Sequence, residues 1–250
     1  MEAPDVVVVG GGPGGSAAAY WLARRGHSVV VVEKKRYPRE KTCGDGLTPR
    51  SVHQLDEMGF DFSLRGFHQV TGLRAYAGND LMLELSWPDH SRFPNWGGVM
   101  RRRDLDAQVA ALVERQGASV RQGAEARPGL HGGRLAGVEI QFDGAVETLT
   151  PKAVVIADGS LSRFGRALGA NRRRDFPMGL AARGYYSSPR SDDRFMESQL
   201  DIRDANGDQM PGYGWVFPLG DGVVNVGVGL LSTFRRWNRV NSSDMMAAYV

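Results

Sequence analysis

Four consecutive valines at residues 6–9 run directly into the segment GGGPGG at residues 10–15. Gly10, Gly12 and Gly15 fall in GxGxxG register, and an apolar run ending in this spacing restricts the local fold to a strand, a tight turn and a helix. Gly10 permits the turn, Gly12 lets the backbone approach a pyrophosphate, and Gly15 allows the helix to pack closely on the strand. The pattern predicts a buried parallel strand over 5–9, a helix over 16–25 stopped by Gly26, and a second strand over 28–33. That strand ends in Glu33, followed by Lys34. An acid there accepts a hydrogen bond from a ribose hydroxyl and repels a 2′-phosphate, so the unit suits FAD or NAD better than NADP. The pyrophosphate would sit at the helix N-terminus.

The 250 residues suffice for one large domain or two modest ones, and 42% hydrophobic content supplies a core for either. No apolar run approaches the roughly 18 residues of a membrane-spanning helix. The N-terminus carries two acids and no basic secretory region, which points to the cytoplasm. Formal net charge is +3, with nearly all the basic residues arginine and the densest clusters at residues 101–103 and 172–174. This mild excess suits phosphates or an anionic lipid surface and comes with no nucleic-acid motif. A single cysteine, Cys43, excludes an internal disulfide and a multi-cysteine metal site, so no metal is expected and the thiol is either reactive or packed.

Further along, residues 34–50 form a polar loop and 49–58 a short helix. Alternation over 73–87 predicts a β-hairpin turning at Gly78-Asn79-Asp80. A short strand over 99–102 and an amphipathic helix over 104–116 follow, then strands at 119–122, a hairpin over 135–149, and a strand over 153–156. Residues 179–231 read mainly as strands, with turns at Pro189, Asn206-Gly207 and Asp221-Gly222. A helix start at 242–250 lacks a stop signal, which reads as a chain shortened at its C-terminus. The expected architecture is α/β: a Rossmann-like dinucleotide-binding domain over 1–175, discontinuous and interrupted by β-hairpins, with a second, β-rich substrate domain over 176–250.

Four segments beside the glycine loop carry a family resemblance. RRDLD at 102–106 resembles an RxxLD segment, and ADGSLSR at 157–163 resembles an ADGxxSxxR fingerprint. Both belong, with the glycine loop, to the FAD family that includes aromatic hydroxylases, flavin halogenases and geranylgeranyl reductases, and the resemblance selects FAD. YPREKTCGDGL at 37–47 is similar to the PxxKxCGxxL motif of geranylgeranyl reductases, and YGWVFP at 213–218, continued by VGVG at 226–229, to their YxWxFP motif. Halogenases carry WxWxIP at that place and lack the Lys41/Cys43 pair. Within the reductases, the likeness is greatest to bacterial members that saturate an isoprenyl unit of menaquinone. The resemblance implies cofactor contacts at Gly10, Gly12, Pro13, Gly15, Glu33, Lys34, Lys41, Cys43, Gly44, Arg102, Ala124, Asp158, Gly159 and Arg163. It implies substrate contacts at Tyr213, Trp215, Phe217 and Pro218.

The implied chemistry is saturation of a C=C bond in an isoprenoid chain. An isolated trisubstituted alkene is not polarised, so protonation of the less substituted carbon, giving a tertiary cation, would precede hydride delivery from reduced flavin. Cys43 is either the proton donor or relay or a small packed hydrophobe. Tyr213, Trp215 and Phe217 alternate along a strand and either line an apolar channel that stabilises the cation or form a core stripe. Arg102, Lys41 and Asp158-Gly159 have bland readings too, as surface charge and an ordinary turn. The competing functions are a flavin hydroxylase or halogenase and a non-catalytic flavin-binding fragment. The sequence leaves open the electron donor, NADPH or a ferredoxin-like protein, and the oligomeric state. A lipid-dissolved substrate implies peripheral contact with the cytoplasmic face of the membrane.

Overall fold

The computed structural model describes residues 3–78, 81–171, 173, 175–235 and 237–250; Asn79 and Asp80 of the expected hairpin turn, and Arg172 and Arg174 of the second basic cluster, lie outside the described residues. The chain divides into two compact units, 1–39 with 103–173 and 40–102 with 174–250. Both are therefore discontinuous, as expected of the first; the second, expected over 176–250, also takes in residues 40–102. The hairpin of residues 72–86 belongs to the second unit because strand Gly72–Ala77 pairs in parallel with Phe195–Gln199.

The first unit is built on a parallel sheet ordered Ala153–Ile156, Val6–Val9, Val29–Glu33, Ser119–Gln122. All four valines of Val6–Val9 are buried, as expected of a central parallel strand with both faces covered. Val6 to Val9 pair in step with Val29 to Val32 on one side and Ala153 to Ile156 on the other. The helix after the first strand is Pro13–Arg24, three residues ahead of the expected start, with Pro13 in its first turn. Helix Arg102–Arg115 likewise begins earlier than expected. A second, antiparallel sheet places Arg134–Phe142 between Ala145–Leu149 and Glu125–His131. Val138 and Ile140 of its middle strand join Val7, Val9, Val32, Ala124 and Phe164 in one core.

The second unit holds a six-stranded sheet ordered Gly179–Ser187, Val223–Leu231, Gly212–Pro218, Phe195–Gln199, Gly72–Ala77, Leu81–Ser86. Strand Val223–Leu231 pairs along its whole length with Gly179–Ser187, and its residues 224–230 are buried. A small sheet of Gly46–Leu47, Gly97–Val99 and His68–Val70 lies in the same unit. Val70 and Val99 of that sheet pack with Met196 and Leu219, and Phe217 and Tyr185 border the cluster. At the C-terminal end, helix Ser242–Tyr249 seats Met245 against Ile202, Met210, Val228 and Leu230. Among the described residues, no helix is long and apolar enough to cross a membrane.

Candidate functional site

In the first unit the glycine turn takes the shape its spacing requires. Gly10 has φ of +97°, and a Cβ there would lie 2.5 Å from the carbonyl oxygen of Ala157 and 2.8 Å from Cα of Asp158. The ADG segment therefore crosses directly over the turn, which brings together two motifs almost 150 residues apart. A Cβ on Gly15 would overlap the carbonyl of Gly10, so helix and turn are in backbone contact. At Gly12 the space is open: nothing lies within 4 Å of a would-be Cβ. Gly12 caps helix Pro13–Arg24 with no side chain bonded to the N-terminal N–H groups. Uncapped amides beside open space at a helix N-terminus fit a pyrophosphate.

Glu33 is 7% exposed, and its carboxylate is held by its own neighbourhood. Oε2 accepts from the N–H of Gly11 at 2.9 Å and Oε1 from the N–H of Lys35 at 3.0 Å. The guanidinium of Arg39 lies 3.4 Å away and also donates to Asp106, at 2.9 Å, whose side chain is wholly buried. The Tyr37 hydroxyl donates to the carbonyl of Gly11. Burial, with the Glu33 charge beside it, pushes that hydroxyl up to about 12, so it stays a donor at neutral pH. Tyr37, Arg39 and Asp106 were not among the expected site residues; the signal available was their position inside the YPREK and RRDLD segments.

The remaining expected contacts of this unit fall into place individually. Ala124 is buried and donates its N–H to the carbonyl of Glu33 at 3.1 Å. The carboxylate of Asp158 accepts from the N–H groups of Arg163 and Phe164, at 3.0 and 3.2 Å, so it caps the short helix Arg163–Ala167. Gly159, with φ of +96°, and Lys34 are exposed, and the Arg163 side chain points outward 3.7 Å from Glu125.

In the second unit Lys41 and Cys43 are exposed. The loop that carries them rests on an aromatic ring: a Cβ on Gly44 or on Gly46 would lie 3.2 Å from Phe217. Tyr213, Trp215 and Phe217 form one row, with ring centroids 5.9 and 6.1 Å apart. Across the strand pair, Tyr213 faces Gly229 and Trp215 faces Gly227. A Cβ on Gly227 would enter the indole, and one on Gly229 would lie 2.9 Å from the Tyr213 ring. The VGVG segment thus supplies the room in which the rings lie flat. Exposure along the row is uneven, 37% at Tyr213 and 5% at Trp215, and Pro218 ends it buried.

A buried polar chain runs behind this row. The indole N–H of Trp215 donates to Asn225 Oδ1 at 2.9 Å, and Asn225 Nδ2 donates to Asp45 Oδ2 at 2.6 Å. The Tyr185 hydroxyl donates to the same oxygen at 2.8 Å, and the N–H of Arg102 donates to Asp45 Oδ1 at 3.0 Å. Burial and the Asp45 charge both push the Tyr185 hydroxyl well above the usual phenol range. Arg183, over the Tyr185 ring at 4.3 Å from its centroid, also donates to the carbonyl of Lys41 at 3.2 Å. Of these groups only Trp215, Arg102 and Lys41 were anticipated. Asp45 stood in view inside CGDGL, whereas Tyr185 and Asn225 belong to no motif.

A family model described as FAD binding domain matches residues 3–181. A menaquinone reductase of Mycobacterium tuberculosis is 42% identical over 205 residues, 82% of this chain and 50% of that protein. A solved geranylgeranyl bacteriochlorophyll reductase-like protein from Thermoplasma acidophilum is 30% identical, with a TM-score of 0.79 over 100% of this chain and 62% of its own. A myxobacterial chondrochloren halogenase, at 24% identity and a TM-score of 0.74 over 92% of this chain and 53% of its own, shares the fold. The chain spans about half the length of the curated relatives it matches.

Proposed function

Since the chain belongs to the family of FAD-binding domains, we propose that the protein is an FAD-dependent reductase that saturates C=C bonds in an isoprenoid chain borne by menaquinone or another lipid. The observation that carries this reading is the seating of the Cys43 loop on Phe217, which puts the sole thiol's loop on the row of aromatic rings within one unit. A wall of π-faces beside a proton-donating loop is what protonation of an isolated alkene calls for. The relatives named for a menaquinone and for a geranylgeranyl substrate support the same substrate class.

The residues divide the work. Gly12 and the uncapped first turn of helix Pro13–Arg24 would hold the cofactor's pyrophosphate, and Glu33, fixed by Gly11, Lys35 and Arg39, would take the ribose. Arg102, Asp158 and Gly159 would complete the cofactor's surroundings, as the resemblance implies. FAD, once reduced by an external donor, supplies the hydride. Tyr213, Trp215 and Phe217 line the prenyl chain and stabilise positive charge at its tertiary carbon, while Cys43 delivers the proton to the less substituted carbon. One proton and one hydride then account for the saturated bond. A substrate dissolved in lipid places the protein at the cytoplasmic face of the membrane as a peripheral component, an assignment supported by its basic excess.

The test is a single anaerobic turnover. Flavin-loaded, pre-reduced protein mixed with menaquinone should reoxidise, and mass spectrometry should find the quinone side chain heavier by two hydrogens per event. Flavin that stays reduced in the presence of prenyl substrate defeats the proposal. Product that gains oxygen or halide only when air is admitted would replace it with the hydroxylase or halogenase reading.

A further inference from the structure

We propose that Asp45 is a positioning residue for this site: its buried carboxylate ties the Cys43 loop to the indole of Trp215 and fixes both in register. The inference rests on the function proposed above and extends it to residues that touch neither cofactor nor substrate.

Asp45 is 1% exposed, and Asn225 is 0% exposed. Burying a carboxylate is costly unless its oxygens are fully bonded, so such a residue demands a defined set of donors. Those donors come from three places. Tyr185 reaches in from strand Gly179–Ser187, Asn225 from strand Val223–Leu231, and the Arg102 N–H from the start of the helix that follows Met100. The backbone carbonyl of Asp45 is used as well, accepting from the N–H of Met100 at 3.1 Å. A loop could be pinned by that backbone bond alone. The side-chain network adds directional coupling: Asp45 accepts from Asn225 Nδ2, which orients the amide so that Asn225 Oδ1 faces the indole N–H. An indole donates through a single N–H, so this bond fixes the direction in which that edge of the ring points. Trp215 has little other freedom, since the bare backbone of Gly227 lies beneath it and Phe217 is stacked beside it at an interplanar angle of 29°. Asp45 sits two residues from Cys43, and a Cβ on either of its flanking glycines would lie 3.2 Å from Phe217. One carboxylate therefore meets the loop on one side and the aromatic wall on the other. Two guanidiniums, Arg183 and Arg101, rest over the ring of Tyr185, at 4.3 and 5.4 Å from its centroid.

The experiment uses the flavin-loaded protein and reads the indole directly. The chain has five tryptophans, and the ¹H–¹⁵N resonance of the Trp215 side chain is identified by its disappearance in Trp215→Phe. Asp45→Asn keeps the volume and the backbone bond to Met100 but sets an amide donor against donors. It should shift the Trp215 resonance and leave the other four in place. At matched flavin loading, single-turnover prenyl saturation should slow by about 10- to 100-fold, as for a misplaced reacting group. Asn225→Asp should disturb the same resonance. The exchange Asp45→Asn with Asn225→Asp restores one carboxylate and one amide facing each other, and should recover both the resonance and most of the rate, a non-additivity that a general loss of stability does not produce. If Asp45→Asn does not fold, Tyr185→Phe removes a single donor and should move the Trp215 resonance by less. An unmoved Trp215 resonance in the folded variant, or an exchange no better than the single substitutions, overturns the inference. If the parent protein does not saturate a prenyl chain, the functional reading falls, and the indole resonance alone decides whether Asp45 sets the ring.

Discussion

A carboxylate that already accepts two backbone N–H bonds and faces a buried guanidinium still has lone pairs to offer, which makes Glu33 a fixed acceptor rather than a mobile one. Its charge is matched by Arg39, so Glu33→Arg puts two cations together and removes the acceptor; the purified variant should carry less flavin, read from the ratio of flavin to protein absorbance. Gly12→Val should act on the same readout by filling the open space at the helix N-terminus. Undiminished flavin in both would remove the cradle from this loop. Arg39 itself bridges Glu33 and the fully buried Asp106. Arg39→Ala removes the cation that these two buried carboxylates share and should cost about 3–5 kcal/mol in denaturant unfolding, with Arg39→Ala/Asp106→Ala recovering part of it. The three glycines of the turn and the end-of-strand position of Glu33 were legible because backbone geometry and strand register set them. Arg39 and Asp106 were less so, since a salt bridge across 67 positions leaves no local periodicity.

Element by element, the sequence announced what depends on near neighbours. The valine runs, the alternating hairpins and the glycine stops place most strands and helices within about three residues of their observed bounds. Strand Glu125–His131 escaped notice because Pro128 and Gly129 argue against a strand, yet it is an edge strand, where a missing N–H is tolerated. The parallel pairing of Gly72–Ala77 with Phe195–Gln199 is a contact between distant segments and has no signature in either one. The aromatic row was readable from its alternation, but the reason it lies flat was not: the glycines of VGVG matter only once cross-strand register is known. Gly227→Ala should therefore tilt Trp215 out of its seat. It should slow prenyl saturation and cost about 1–3 kcal/mol, the usual price of overpacking, with flavin binding retained. Equal activity and stability in parent and variant would show that the ring has slack.

At the scale of the molecule, a net charge of +3 bears on the lipid-dissolved substrate proposed above. Each Lys or Arg near an anionic surface contributes on the order of 1 kcal/mol, and the attraction fades within a Debye length, about 10 Å at 0.1 M salt and about 3 Å at 1 M. A few such residues give reversible binding, far weaker than insertion of a spanning helix. The protein should float with vesicles containing phosphatidylserine or phosphatidylglycerol at low ionic strength, bind neutral phosphatidylcholine vesicles less, and be largely released at 1 M salt. Release by salt identifies an electrostatic attachment. Retention at high salt on both kinds of vesicle would instead assign the attachment to apolar burial, and full recovery away from anionic vesicles at low salt would refute membrane contact altogether. The same vesicles, loaded with menaquinone, connect this scale to the first. Salt that strips the protein from the surface should lower prenyl saturation in parallel, whereas flavin reduction by a soluble donor, which needs no lipid, should continue at its earlier rate.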